Sequence, residues 1–378
     1  MKHCCILLLT ALLLLSGCGK DSESPTEPSE TRQKPGTQVF TVEALKWYGG
    51  RKAAVSITYD ALWGQWRSQR LVDYVTNEVL LRGLRMDYEM VTEKYDHPEY
   101  EFIVTDIREN VIPSGVHFFG HGHEHVYHDS LTYDEAFESF SRCYGLMEQW
   151  GLNPRAYGYP HSSGRKPEIQ RANMLAGFIC ARGAAAPGEE YCICTEDETE
   201  PENWYYLPSI QAGQTSPDYI QDHSEMEPFL KTALDRGAWV ILLYHAIGFP
   251  DDYCYYPINE FLKDMDYIAG NDFWGGNMDM TACYIRERNQ FYTEVTPVAM
   301  TDSWFEYDVV FGDGLDNATY DQPLTLEFTF DPSETITGME IDPAVESGTE
   351  FTLEDNILRL NIVPNEQKYR LRLIRNAP

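Results

Sequence analysis

The chain has 378 residues, with 60 Asp and Glu against 29 Lys and Arg, a formal net charge of −31. That balance excludes a surface that clamps a nucleic-acid backbone, which works by Lys and Arg displacing counterions, and it excludes docking on anionic lipid through a basic patch. Hydrophobic residues are 43% of the chain and aromatics 13%, enough for a packed core, so overall disorder is excluded too.

The N-terminus opens on Met1-Lys2-His3 and runs from Ile6 to Leu15 with Thr10 as the only polar residue. A basic start and a short apolar run read as a secretory signal, because a bilayer span needs about 20 apolar residues. The run closes on Leu15-Ser16-Gly17-Cys18, which resembles a bacterial lipobox. That resemblance implies loss of residues 1–17, a lipid on Cys18 and residence at the bacterial cell envelope, on an outer-membrane, periplasmic or cell-surface face. Residues 19–38 contain no aromatic or aliphatic side chain and read as a disordered tether. Its full reach is about 65 Å. The organisation expected is a signal at 1–17, a lipidated cysteine and tether at 18–38, an α/β unit at 39–290 and a small β-domain at 291–378.

Within the α/β unit, short apolar runs stop abruptly at polar residues. Ala53–Tyr59 stops at Asp60, Val116–Phe119 at Gly120-His121, and Ala156–Tyr159 at Pro160-His161. Gly177–Cys180 stops at Ala181-Arg182, and Ala238–Tyr244 at His245. Such runs suit strands buried on both faces. Helical patterns lie between them. One covers Ser68–Leu81. Another opens on Thr132 with Glu135 three residues on, a capping-box pair, and carries Tyr133, Phe137, Phe140, Tyr144 and Met147 as an expected core stripe up to the stop at Gly151. Strand–helix alternation predicts a parallel α/β barrel, whose functional residues sit at the C-terminal ends of strands. Asp60, His121, His161 and His245 hold that position.

Six cysteines follow Cys18, and the spacing Cys180…Cys192-Ile193-Cys194 suits a small disulfide staple in an exported protein. Residues 301–378 change texture to short alternating runs divided by turn residues, which predicts an antiparallel β-sandwich. Residues 301–358 hold fifteen Asp and Glu and no Lys or Arg, read as a solvated acidic face.

Six of the ten histidines lie between His117 and His161, and His121-Gly-His-Glu-His125 is the densest stretch. Neutral imidazole binds zinc and other divalent transition metals. On a helical turn His121 and His125 share a face; on an extended segment His121, His123 and His125 do so.

Four ordered motifs across roughly 50–290 resemble the polysaccharide deacetylase family, carbohydrate esterase family 4. Ser56-Ile57-Thr58-Tyr59-Asp60 is similar to its Thr-Phe-Asp-Asp-Gly motif, and His121 to His125 to its His-x-x-x-His. Tyr157-Gly158-Tyr159-Pro160-His161 is similar to its third motif and Leu242-Leu243-Tyr244-His245 to its Leu-x-His. The resemblance implies a distorted (β/α)7-type barrel, followed here by the small all-β sandwich. It implies metal-dependent removal of N- or O-acetyl groups from a polysaccharide or oligosaccharide. Asp60 stands where the general base activates water, His121 and His125 where the metal is held, and His245 where the general acid belongs. The His161 N–H stands where the oxyanion is held. The metal implied is zinc, with nickel or cobalt as alternatives.

Two positions depart from the pattern. The second Asp of the first motif, a metal ligand, is Ala61, and the arginine that many members set beside the base is Gly158. His123 could supply a third nitrogen, Asp60 could move onto the metal, or the scaffold binds glycan without catalysis. Trp63, Trp66 and Tyr159 stand near enough in sequence to stack on sugar rings.

Overall fold

The computed structural model describes residues 38–64, 69–345, 352–354 and 357–375. The signal, Cys18, the tether and Trp66 lie outside them.

The chain passes through β1 (Phe40–Ala44) into seven parallel strands. These are β2 (Ala53–Tyr59), β3 (Met86–Met90), β4 (Val116–Gly120), β5 (Ala156–Gly158), β6 (Cys180–Ala184), β7 (Leu207–Gln211) and β8 (Trp239–Tyr244). Each pairs with the next, and β2 pairs with β8 from Ala54↔Trp239 to Tyr59↔Tyr244, so the sheet closes into a barrel. Around it stand α1 (Gln69–Leu81), α2 (Glu101–Asp106), α3 (Tyr133–Gln149), α4 (Pro167–Ala176), α5 (His223–Arg236), α6 (Ile258–Gly270) and α7 (Met278–Gln290). Short strands β9 (Ala246–Ile247), β10 (Tyr255–Tyr256) and β11 (Phe273–Gly275) complete this part, β11 pairing outside β2. The architecture is the expected (β/α)7 barrel.

Strand β3 had no apolar run to announce it. Met86, Tyr88 and Met90 join the core beneath the helices, which leaves Asp87 and Glu89 to the alternate, interior face. The α3 cap is as expected: Glu135 N–H donates to Thr132 Oγ1 (3.4 Å) and Thr132 N–H to Glu135 Oε2 (2.8 Å). Its buried face is Ala136, Phe140, Cys143 and Met147, rotated from the expected stripe, and Phe137 is exposed.

The C-terminal part is a sandwich of two four-stranded sheets. One is formed by β12 (Tyr292–Met300), β13 (Trp304–Gly312), β15 (Ile336–Asp342) and β18 (Asn365–Arg375). The other contains β14 (Leu324–Phe330), β16 (Thr352–Glu354), β17 (Ile357–Ile362) and, against the 39–290 boundary expected for the barrel unit, β1. Strand β1 pairs antiparallel with β14, and Phe40 packs on Tyr307 and Phe328 of the sandwich. The acidic strands are not simply solvated. Basic side chains of β18 lie over them: Arg370 pairs with Glu306 and Asp308, Arg372 with Glu306 and Glu340.

The sandwich docks on the floor of the barrel, the N-terminal ends of its strands. Trp47 Nε1 donates to Gly237 O (3.0 Å), Tyr284 OH to Leu45 O (2.8 Å), and Arg155 pairs with Asp321 (2.9 Å). One apolar cluster runs from Ala54, Trp239 and Ile241 through Met278 and Ala282 to Phe311 and Phe328. The expected disulfide staple does not form. Cys180, Cys192 and Cys194 are free and buried, packing as small apolar side chains.

Candidate metal centre at the barrel mouth

Asp60 is the first residue past β2, His121 the first past β4 and His245 the first past β8. Strand ends therefore bring all three to the mouth. His125 arrives by a turn and not by helical or extended spacing. Gly122 has φ +92°, and a Cβ there would stand 2.3 Å from Glu124 O, so the reversal needs glycine. It places the His125 ring 5.1 Å from that of His121 and 4.5 Å from that of His161.

The third member of the cluster is Glu89, four residues into β3. Glu89, His121 and His125 each offer a ligand atom, all within 4.8 Å of one another. His121 Nδ1 donates to Gly158 O (2.8 Å), which leaves Nε2 bare and aimed at Glu89 Oε2 (3.3 Å). A bare nitrogen and a carboxylate oxygen at that separation need a proton or a cation between them. Burial pushes His121 down to about 3 and also lowers His125, so both imidazoles are neutral and ligand-ready at neutral pH. Burial first, and the charge of Asp60 second, push Glu89 well above its ordinary value, a balance that a divalent cation would reverse. One carboxylate and two neutral imidazoles fit zinc, and also nickel or cobalt. Glu89 offers this cluster a carboxylate, which Ala61 cannot.

His123 does not belong to this cluster. Its Nδ1 is held by Thr92 Oγ1 (3.0 Å), and the ring is buried away from the mouth. Asp60 does not move onto the cluster either: its partner is Arg182, in the middle of β6, which forms an ion pair with Asp60 Oδ1. Both side chains are buried, Arg182 being 1% exposed and Asp60 7%. Burial alone would raise the Asp60 carboxyl; Arg182, then His121, His245 and His125, outweigh it and hold it below its ordinary value. Arg182 reaches Asp60 across β5 because position 158 is glycine. A Cβ there would meet the Phe119 ring at 2.8 Å and the Arg182 guanidinium carbon at 3.2 Å. The arginine lacking at position 158 is supplied from the neighbouring strand.

Asp60 Oδ2 remains free of Arg182 and faces His245 Nε2 (3.8 Å) and His121 Nε2 (3.9 Å). His245 is kept neutral by burial, against the pull of Asp60. His161 sits in the left-handed turn after β5 (φ 58°), on the same cleft. The cleft encloses about 650 Å³, within the range of small-molecule sites. Trp63 is turned into the core, edge-on to Tyr88 (5.3 Å), and Tyr159 is 1% exposed. Exposed aromatics at the rim are Tyr253, 5.2 Å from the His245 ring, and Tyr127, 6.5 Å from that of His161.

No protein-family profile and no curated protein sequence matches the chain. Solved structures do. A Mycobacterium smegmatis protein described as a polysaccharide deacetylase aligns at TM-score 0.45 and 14% identity, over 69% of this chain and 96% of that one. A family 4 carbohydrate esterase from Streptomyces lividans aligns at TM-score 0.34 and 13% identity, over 58% and 88%. A CE4 family pseudoenzyme from Bacillus anthracis aligns at TM-score 0.38 and 13% identity, over 61% and 65%.

Proposed function

We propose that the protein is a metal-dependent hydrolase that removes N- or O-acetyl groups from a neutral or weakly charged glycan. The observation that carries this reading is one cleft holding a Glu89–His121–His125 ligand set beside an arginine-paired Asp60 and a neutral His245. The ion, when bound, supplies a Lewis acid that polarises the acetyl carbonyl and acidifies water. Everything else falls to the chain. Arg182 keeps Asp60 ionised, so that Oδ2 accepts the proton of the attacking water. His245, facing Asp60 Oδ2, takes up that proton and delivers it to the departing nitrogen or oxygen as the acyl bond breaks, and the products are acetate and a free amine or hydroxyl. The N–H of His161 faces the oxygen of the reacting carbonyl.

The test is acetate release from a panel of acetylated oligosaccharides, with metal-stripped and zinc-, nickel- or cobalt-loaded protein. Release by the loaded protein alone, abolished in Glu89→Gln, is the expected result. Absence of both bound metal and acetate after reconstitution would sink the reading; glycan binding without release would leave a binding protein on the same scaffold. The lipid at Cys18 and the envelope location belong to the proposal as well. Cys18→Ala should move the protein from the membrane fraction to the soluble one.

A further inference from the structure

We propose that the floor of the barrel holds a second divalent cation, bound by Asp87, His117 and Asp279 and separate from the centre at the mouth. Asp87 and His117 stand opposite each other on β3 and β4. Asp87 precedes Glu89 by two residues on the same strand, which sets the floor about 7 Å below the mouth. Asp279 comes from the first turn of α7, the helix between barrel and sandwich. The three residues each offer a ligand atom, all within 4.8 Å of one another.

The spacing is that of ligands and not of hydrogen-bonded partners. His117 Nε2, the nitrogen that would ligate, is 3.4 Å from Asp279 Oδ2; the other ring nitrogen, Nδ1, stands 3.9 Å from Asp87 Oδ1, beyond a hydrogen bond. An N–H···O bond is shorter, about 2.7–3.2 Å. Two ligands on a tetrahedral ion, each about 2.0–2.1 Å from it, stand about 3.4 Å apart. Asp279 Oδ1 and His117 Nδ1 have no hydrogen-bond partner among the described residues, although the Asp279 side chain is only 5% exposed. Asp87 is already aimed: Asn277 Nδ2 donates to one oxygen (3.0 Å) and the Met278 N–H to the other (2.9 Å), the outer contacts that orient a ligating carboxylate. Among the described residues no Lys or Arg forms an ion pair with either carboxylate: Arg155 is paired with Asp321 and Arg182 with Asp60, and they act on Asp279 and Asp87 only from a distance. Two carboxylates and an imidazole suit Zn²⁺ or Mn²⁺. An ion there would tie α7 to β3 and β4 and so stiffen the floor on which the sandwich rests.

The test is metal stoichiometry. Chelator-stripped protein is titrated with Zn²⁺ and with Mn²⁺, and bound metal is counted by mass spectrometry. Two equivalents are expected in the wild type, one in Asp279→Asn, one in Glu89→Gln and none in the double variant. Asp279→Asn should keep acetate release while Glu89→Gln loses it. In Glu89→Gln, either metal should raise the melting temperature, and adding His117→Gln should abolish the rise. If Asp279→Asn does not fold, His117→Gln replaces it in the count. A single equivalent in the wild type overturns the proposal, as does a folded Glu89→Gln protein that binds no metal; a His117 that merely bridges the two carboxylates would give both results.

Discussion

Arg182→Met removes the charge beside Asp60 while keeping a side chain of similar length. The pair is sealed from solvent and salt, so the loss is little screened. An arginine next to an aspartate lowers the carboxyl by about 1–3 pKa units, which is about 1.4–4 kcal/mol of preference for the charged form. Without it, the burial that already raises Asp60 meets only the histidines. The acidic limb of kcat/KM for acetate release should therefore move up by about 1–3 units. At a pH below both limbs, each unit of displacement costs about tenfold in rate. Near pH 9 activity should return towards the wild type. Arg182→Lys keeps the charge but not the planar fork, and should move the limb less. The melting temperature should fall at neutral pH, because an unpaired buried carboxylate costs about 3–5 kcal/mol, and recover on acidification. A pH profile of Arg182→Met that superimposes on the wild type would refute the role given to Arg182.

Four further outcomes follow from the structure. Glu89→Gln should release the mouth metal, measured by equilibrium dialysis. In the wild type the affinity for that metal should rise with pH, because binding must displace the proton that burial keeps on Glu89. Gly158→Ala should cost about 1–3 kcal/mol in chemical denaturation and lower kcat, since its methyl group must push Phe119 or Arg182 aside. Asp264 is buried and accepts from His223 Nδ1 (2.8 Å), Tyr244 OH (2.9 Å) and Tyr256 OH (2.9 Å), and burial raises it from 3.8 to about 6. The folded state thus holds a proton that the unfolded chain has lost. The stability Asp264 contributes is complete below pH 4 and fades as pH rises towards 6, by up to about 3 kcal/mol. Denaturation from pH 4 to 6 should show a shallower decline in Asp264→Asn than in the wild type.

The residues that the sequence made legible are those at which an apolar run ends. Asp60, His121 and His245 each follow a buried strand directly, so a change from apolar to polar located them. Glu89 and Arg182 carry no such mark. Glu89 lies inside Met86–Met90, where polar residues alternate with apolar ones because the interior face of that strand is polar, and the pattern does not read as a fully buried strand. In the sequence Arg182 follows an apolar run that ends at Cys180, which reads as a position past a strand end; the strand begins at Cys180. An arginine in mid-strand became readable only once its partner was visible on the far side of Gly158. His123 failed for a related reason. A motif spaced as His-x-His-x-His suggests three equivalent ligands, but the turn at Gly122 sends the middle ring to Thr92. Strand β1 was lost to the sandwich because five residues with alternate burial fit any half-covered sheet, and only its partner β14 decides which.

The attachment of β1 to the sandwich sets the side on which the chain enters the folded body. The chain emerges from its first 38 residues into the sandwich, and the sandwich covers the barrel floor. The cleft at the barrel mouth therefore opens on the side opposite that entry. With Cys18 lipidated as proposed, the anchor would join the body on its β-sandwich side, opposite the cleft. On the proposed function, the tether would join the body on the side away from the substrate, so that a bound polymer need not pass between the sandwich and the membrane.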